Sequence, residues 1–138
     1  SVYSVLDQIY DVLRYRVIIV DDYIRSVDDY LHYLEEHGMR VVQVKNRWGS
    51  ASYNEISVKF ETEDHFRFEI QFHTKESYLN GEIKTRSLYE ITRRSVVPSE
   101  IREKAKFIED YYRSRITIPE GALGYHFQSR LKVKEKKK

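Results

Sequence analysis

Between Asn54 and His73 the chain alternates apolar and polar side chains through two successive runs, and few folds accommodate that pattern. Ile56, Val58 and Phe60 recur at every second position of the first run, and Phe66, Phe68, Ile70 and Phe72 do so in the second. Successive strand residues point to opposite faces, so each run reads as a strand with one apolar and one polar face. Glu63-Asp64 suits the turn between them, which makes Tyr53 to Glu61 and His65 to His73 an antiparallel pair. If the apolar faces share one core, the polar faces coincide as well. Tyr53, Glu55, Ser57 and Lys59 then join Arg67, Glu69, Gln71 and His73 on one surface. Half-buried antiparallel sheets always carry a polar outer face, so alternation alone is compatible with plain solvation. The content of this face, Tyr, Glu, Gln and His rather than the Lys, Glu and Thr of a merely wet sheet, points to binding.

The flanking sequence supplies the layers around this pair. Asp11 to Val20 is rich in β-branched residues and ends almost wholly apolar, the pattern of an interior strand covered on both faces. Asp21 to His37 reads as a helix, with Ile24, Val27, Leu31 and Leu34 on one stripe and Gly38 as its stop. Arg40 to Arg47 resumes a strand, and Trp48 to Ala51 reads as a turn. Thr74 suits the N-cap of a helix running to about Arg94, with Leu79, Ile83 and Leu88 inward. Pro98-Ser99 opens another helix carrying Ile101, Ala105, Ile108 and Tyr112. After Pro119 periodicity is lost, and Gly121 and Gly124 mark an irregular tail. The order β-α-β-β-β-α-α defines an α/β (α+β) chain: a mixed sheet of about four to five strands flanked by helices. Residues 1–118 form the domain and 119–138 the tail.

Composition narrows the function classes. A chain of 138 residues supports one core. Net charge is +2, yet Arg130 to Lys138 alone holds six basic residues and one Glu, so the preceding body is weakly acidic. That is no footprint for DNA, and the Lys-rich end reads as a solvated tail. The absence of Cys excludes disulfides and thiol chemistry. No apolar run reaches membrane-spanning length and no signal peptide is visible, so no membrane partner is expected. A cytoplasmic location is expected, and a delivered effector is compatible with it. None of the five His stands at zinc-ligand spacing with a third partner.

Asp11 sits at the head of the first strand, where an isolated Asp is usually a turn residue. Two carboxylates from separate strands, Asp11 and Glu69, are however what a Mg²⁺ bridging substrate phosphates requires, since it takes few protein oxygens. Asp7 to Ile19 resembles the segment of RelA/SpoT synthetases that enters their first sheet strand with its metal-binding Asp. Glu69-Ile70-Gln71-Phe72-His73-Thr74 resembles their strand E-[VI]-Q-I-R-T with its essential Glu, and Tyr53-Asn54-Glu55-Ile56-Ser57 their Y-x-S-x-H segment. Lys45-Asn46-Arg47-Trp48 and Phe72-His73-Thr74-Lys75-Glu76-Ser77 are similar to a divergent, toxin-like branch.

The resemblance, spanning about Asp7 to Arg94, implies a nucleotidyltransferase-like fold and a Mg²⁺-dependent pyrophosphokinase of the (p)ppGpp synthetase kind. Pyrophosphate would pass from ATP to a GDP- or GTP-like nucleotide or an RNA 3′-end hydroxyl, in a toxin or an alarmone synthetase. It implies that Asp11 and Glu69 hold Mg²⁺, that Glu69 also draws the acceptor proton, and that Tyr53 stacks on the acceptor base. Lys45, Arg47, Lys59 and Arg67 become candidates for neutralising phosphate, and Gln71 for orienting the acceptor. His73 shares that face, standing where the family has Arg, and Ser57 stands where it has His. The family also carries a basic helix ahead of the Asp strand, whereas this sequence has no basic residue before Arg14. Weak Mg-ATP binding is therefore expected unless the basic tail substitutes. The alternative is a catalytically inactive domain of this fold that binds a nucleotide or a protein.

Overall fold

The computed structural model describes residues 13–50, 53–85 and 96–131, with side chains at 83–85 left aside. The elements follow the expected order: β1 (Arg14–Ile18), α1 (Tyr23–Glu36), β2 (Arg40–Asn46), β3 (Ile56–Glu61), β4 (Arg67–His73), α2 (Lys75–Thr85) and α3 (Ser99–Ser114). The strands form one mixed four-stranded sheet in the order β1-β4-β3-β2. β4 pairs antiparallel with β3 and parallel with β1, while β2 pairs antiparallel with β3. The β3–β4 register runs from Ile56 opposite Phe72 to Glu61 opposite Arg67, which fixes the shared faces that alternation implies.

One expectation fails at the first strand. β1 is an edge strand among the described residues, not an interior one. Its apolar run alternates in its environment: Val17 and Ile19 pack on the core, whereas Ile18 is 42% and Val20 92% exposed. A continuous apolar stretch looks the same from sequence whether both faces are covered or only one.

The apolar face of the sheet packs against α1. Val27, Leu31, Trp48, Ile56, Val58, Phe60 and Phe72 are the large side chains wholly withdrawn from solvent. Such burial of apolar surface is the main stabilising term in a domain of this size. α1 begins at Tyr23 rather than Asp21, behind an Asp22 in the left-handed region (φ 43°), a conformation Asp tolerates. Gly38, at φ 86°, ends the helix in a backbone conformation that favours glycine.

Tyr23 ties this layer to the strand ends. Its hydroxyl donates to the Phe72 carbonyl and accepts from Trp48 Nε1 at 3.1 Å and from the Ile56 amide at 3.2 Å. Burial holds its phenol well above the usual range, so it stays a neutral donor. Trp48, expected only as a turn residue, is therefore core, with its ring edge-on to Tyr23.

The segment after Pro119 has no helix or strand through Leu131, yet it packs into the domain. Ala122 and Tyr125 belong to the core, and Asn46 Nδ2 donates to the Ala122 carbonyl at 2.6 Å. Tyr125 donates to Asp28 at 2.8 Å, and Ser129 donates to Glu35 at 2.9 Å. The second helix also departs from expectation. Leu79 is 39% exposed, while Ser77 and Asn80 are buried, because α2 flanks the polar end of the sheet and packs beside α3. Ile83 and Leu88 lie outside the described side chains. On α3 Ala105 is buried, whereas Ile101 and Ile108 are exposed.

Candidate active site

The polar face of the sheet forms the floor of a cavity of about 350 Å³, and strand register orders its side chains into rows. In the first row Arg14 lies opposite Glu69, which lies opposite Lys59. In the second, Arg16 lies opposite Gln71, then Ser57, then Lys45. Beyond the Ile56–Phe72 pair the third row begins, with His73 at the end of β4 and Glu55 just ahead of β3. The Arg47 amide donates to the Glu55 carbonyl at 2.9 Å, extending the ladder by one step and carrying the Arg47 side chain to the same face. Tyr53 stands exposed at the rim, and Tyr78, Gly81 and Glu82 of α2 close one side.

Two short motifs owe their form to this geometry. In Lys45-Asn46-Arg47-Trp48, strand parity sends Lys45 and Arg47 to the cavity, while Trp48 enters the core and Asn46 fastens the terminal segment. In Phe72-His73-Thr74-Lys75-Glu76-Ser77, Phe72 is core, His73 faces the cavity and the rest is a reciprocal cap on α2. The Ser77 amide donates to Thr74 Oγ1 at 3.2 Å, and the Thr74 amide donates to Ser77 Oγ at 3.0 Å.

Glu69 is the buried carboxylate in the middle of the first row. Ser57 Oγ donates to its Oε1, and Arg14 Nε stands 3.3 Å from its Oε2. Arg16 reaches Gln71 Oε1 at 3.3 Å and Glu82 Oε1 at 2.7 Å, bracing the α2 side of the cavity. His73 is buried with Nδ1 3.1 Å from Ser77 Oγ. Burial, reinforced by the Arg16 charge, pushes its pKa down to about 4, so the ring is neutral near pH 7. Glu55 is also buried, and desolvation raises its pKa. Arg47 opposes that rise and Glu69 adds to it. Five cations, Arg14, Arg16, Lys45, Arg47 and Lys59, outnumber three carboxylates, Glu55, Glu69 and Glu82, so the cavity favours a polyanion.

Glu69, Gln71, His73, Tyr53, Lys45, Arg47 and Lys59, all anticipated from sequence, line this one cavity. Arg67 does not: it sits at the far end of β4, where Nε reaches Glu61 at 2.7 Å alongside Arg40 at 2.7 Å. Asp11 lies outside the described residues. Arg14, Arg16, Tyr78 and Glu82 were not anticipated. The parity of Arg14-Tyr15-Arg16 would have found the two arginines once β1 was set beside β4, and helical spacing links Tyr78 to Glu82.

Among the described residues no group of three His, Asp or Glu converges as a ready-made metal cluster. Mg²⁺ does not require one, because substrate phosphates and water complete its shell. Ser57 holds Glu69 Oε1 and Arg14 Nε stands 3.3 Å from Oε2, yet each carboxylate oxygen has a second lone pair, so Glu69 still fits as a hard oxygen ligand for a cation shared with phosphate.

The mixed parallel–antiparallel sheet carries α1 on its apolar face and a carboxylate-floored, cationic cavity on its polar face, an α+β fold. Solved structures match that fold. Small alarmone synthetase 2 from Bacillus subtilis superposes at TM-score 0.51 and 17% identity, over 83% of this chain and 73% of that one. A GTP pyrophosphokinase family protein from Streptococcus pneumoniae does so at 0.58 and 19%, over 83% of this chain and 60% of that one. For smu.1046c from Streptococcus mutans UA159 the figures are 0.56 and 18%, over 81% and 60%. The chain thus spans less than two thirds of the latter two. At these identities the likeness is one of fold. No family model and no curated protein sequence matches the chain.

Proposed function

We propose that this domain is a pyrophosphokinase that moves a pyrophosphoryl group from ATP to a hydroxyl of a GDP- or GTP-like nucleotide or of an RNA 3′ end. The observation that carries this reading is the placement of Glu69: a buried carboxylate, oriented by Ser57, on the floor of a cavity ringed by five cations. Phosphoryl-type transfer asks a protein mainly for positioning and charge stabilisation, and this face supplies both. Two solved structures with this fold, an alarmone synthetase and a GTP pyrophosphokinase family protein, support the same chemistry.

In this reading the acceptor hydroxyl approaches Glu69 Oε2 and gives it a proton as its oxygen bonds to the β-phosphorus of ATP. The bond from that phosphorus to the α-phosphate oxygen breaks, and AMP leaves. Arg14, Arg16 and Lys59 stabilise the charge that develops on the transferred group, and Lys45 adds positive charge on the β2 side, while Arg47 stands beside Glu55. Gln71, held by Arg16, orients the acceptor, and Tyr53 offers its ring to the acceptor base at the rim. Glu69, with Asp11 as the second carboxylate that the resemblance implies, would hold a Mg²⁺, which would add neutralisation of the donor phosphates. Incubation with Mg-ATP and, separately, GDP, GTP or a short RNA tests the proposal by mass spectrometry. One acceptor should gain two phosphates. ATP binding without any modified acceptor would instead favour an inactive nucleotide-binding domain.

A further inference from the structure

Glu55 stands out among the cavity side chains because no donor among the described residues completes it. Its side chain is 3% exposed, yet among the described residues its carboxylate accepts no hydrogen bond, and Arg47 Nη1 stands 3.8 Å from Oε1, beyond hydrogen-bonding distance. Glu69, on the same face, is satisfied by Ser57 and Arg14. A buried carboxylate without donors is costly, so one that lines a cavity is a group waiting for donors from a ligand. Desolvation raises its pKa, as expected for a carboxylate lacking hydrogen bonds in the free protein.

Its position selects among ligand groups. Glu55 and Glu69 are separated by the Ser57–Gln71 row, so they serve opposite ends of the floor. The Glu69 end, with Arg14 and Lys59, suits phosphate. The Glu55 end holds Tyr53 at the rim and His73, whose Nδ1 is engaged by Ser77 while its pKa of about 4 keeps the ring uncharged. A carboxylate repels phosphate and has only acceptor oxygens. Two adjacent N–H donors satisfy it in bidentate fashion.

We infer that Glu55 reads the acceptor's base, taking an edge with two neighbouring N–H donors, and so fixes which way round the nucleotide lies, with phosphates toward Arg14 and Lys59. This rests on the nucleotide-acceptor reading of the same cavity, and names a specificity-determining residue within it. Among common nucleobases, guanine offers that edge through its ring N–H and exocyclic amine. Xanthine replaces the amine with a carbonyl, which would face the carboxylate oxygen to oxygen. Glutamine at position 55 has one acceptor and one donor and would match xanthine instead.

Calorimetry of GDP, xanthosine diphosphate and inorganic pyrophosphate on the full chain tests the inference without any transfer step. A good bidentate pair discriminates by between about fivefold and a hundredfold. The wild type should prefer GDP to xanthosine diphosphate by that margin, and Glu55→Gln should erase or reverse the preference. Pyrophosphate binding should be unchanged or tighter in the variant, which also reports that the cavity is intact. Equal ratios for the two nucleotides in wild type and variant would overturn the inference, as would a wild type that binds neither. If the preference switches but no acceptor is ever modified, the binding role of Glu55 stands and the pyrophosphokinase reading falls.

Discussion

The two faces of the sheet are made by the same strands and obey different rules. On one, Ile56, Val58, Phe60, Ile70 and Phe72 form an apolar core with Val27, Leu31 and Trp48, and the Tyr23 hydroxyl bonds the Phe72 carbonyl, Trp48 Nε1 and the Ile56 amide. On the other, Glu55, Ser57, Lys59, Glu69, Gln71 and His73 are largely withdrawn from solvent as well, yet they surround a cavity. Burying charges beside a space costs stability unless pairing or a ligand offsets it. A face selected only for solubility would hold its charges out in water. The difference therefore separates a surface that holds the fold together from one arranged for a ligand.

Substitutions on the two faces should separate in the same way. Glu69→Gln keeps shape but removes the charge that accepts a proton and holds metal, so turnover should fall by about a thousandfold or more. Its thermal midpoint should stay near the wild-type value, and a loss of folding in step with activity would erase the contrast. On the other face Phe60→Ala leaves a void where the ring was wholly buried, costing about 3–5 kcal/mol. Denaturant titration should show that loss, and a change under 1 kcal/mol, about the size of a surface substitution, would mean the core is not where it is drawn.

The contrast was only partly legible in the sequence. Alternation in β3 and β4 disclosed both faces, because the strand period is short and the two runs agree. The rest depended on pairing that no local pattern encodes. Val17-Ile18-Ile19-Val20 suggests a strand covered on both sides, but β1 ended at the sheet edge, and only there do Arg14 and Arg16 fall beside Glu69 and Gln71. Trp48 and Tyr125 sit in turn-like, glycine-flanked sequence with no periodicity to mark them as core. Glu55 was visible on the polar face, but its lack of hydrogen-bond donors among the described residues is a property of the folded neighbourhood.

Smaller effects sharpen the division. Tyr53 stands at the rim and should contribute by stacking, worth roughly 1–3 kcal/mol per base. Tyr53→Ala should then weaken acceptor binding about tenfold while Tyr53→Phe is tolerated. Identical titrations for Ala and Phe would reduce Tyr53 to packing. The smallest effect concerns pH. His73 titrates at about 4 when folded against 6.5 for the free side chain, so the unfolded chain takes up its proton first. Its neutral burial therefore supports the fold fully above pH 6.5, and that support is lost as pH falls toward 4. Thermal midpoints across this window should decline less steeply in His73→Gln than in the wild type, and parallel slopes would place the decline elsewhere.

Whether the polar face is a pyrophosphoryl-transfer site is tested most directly by following ATP labelled separately at its β- and γ-phosphates during incubation with the chain, Mg²⁺ and the acceptor that it modifies. Both labels should reach the acceptor together, with one AMP released for each transfer. Release of ADP with only the γ-label transferred, or labels that never leave ATP, would contradict it.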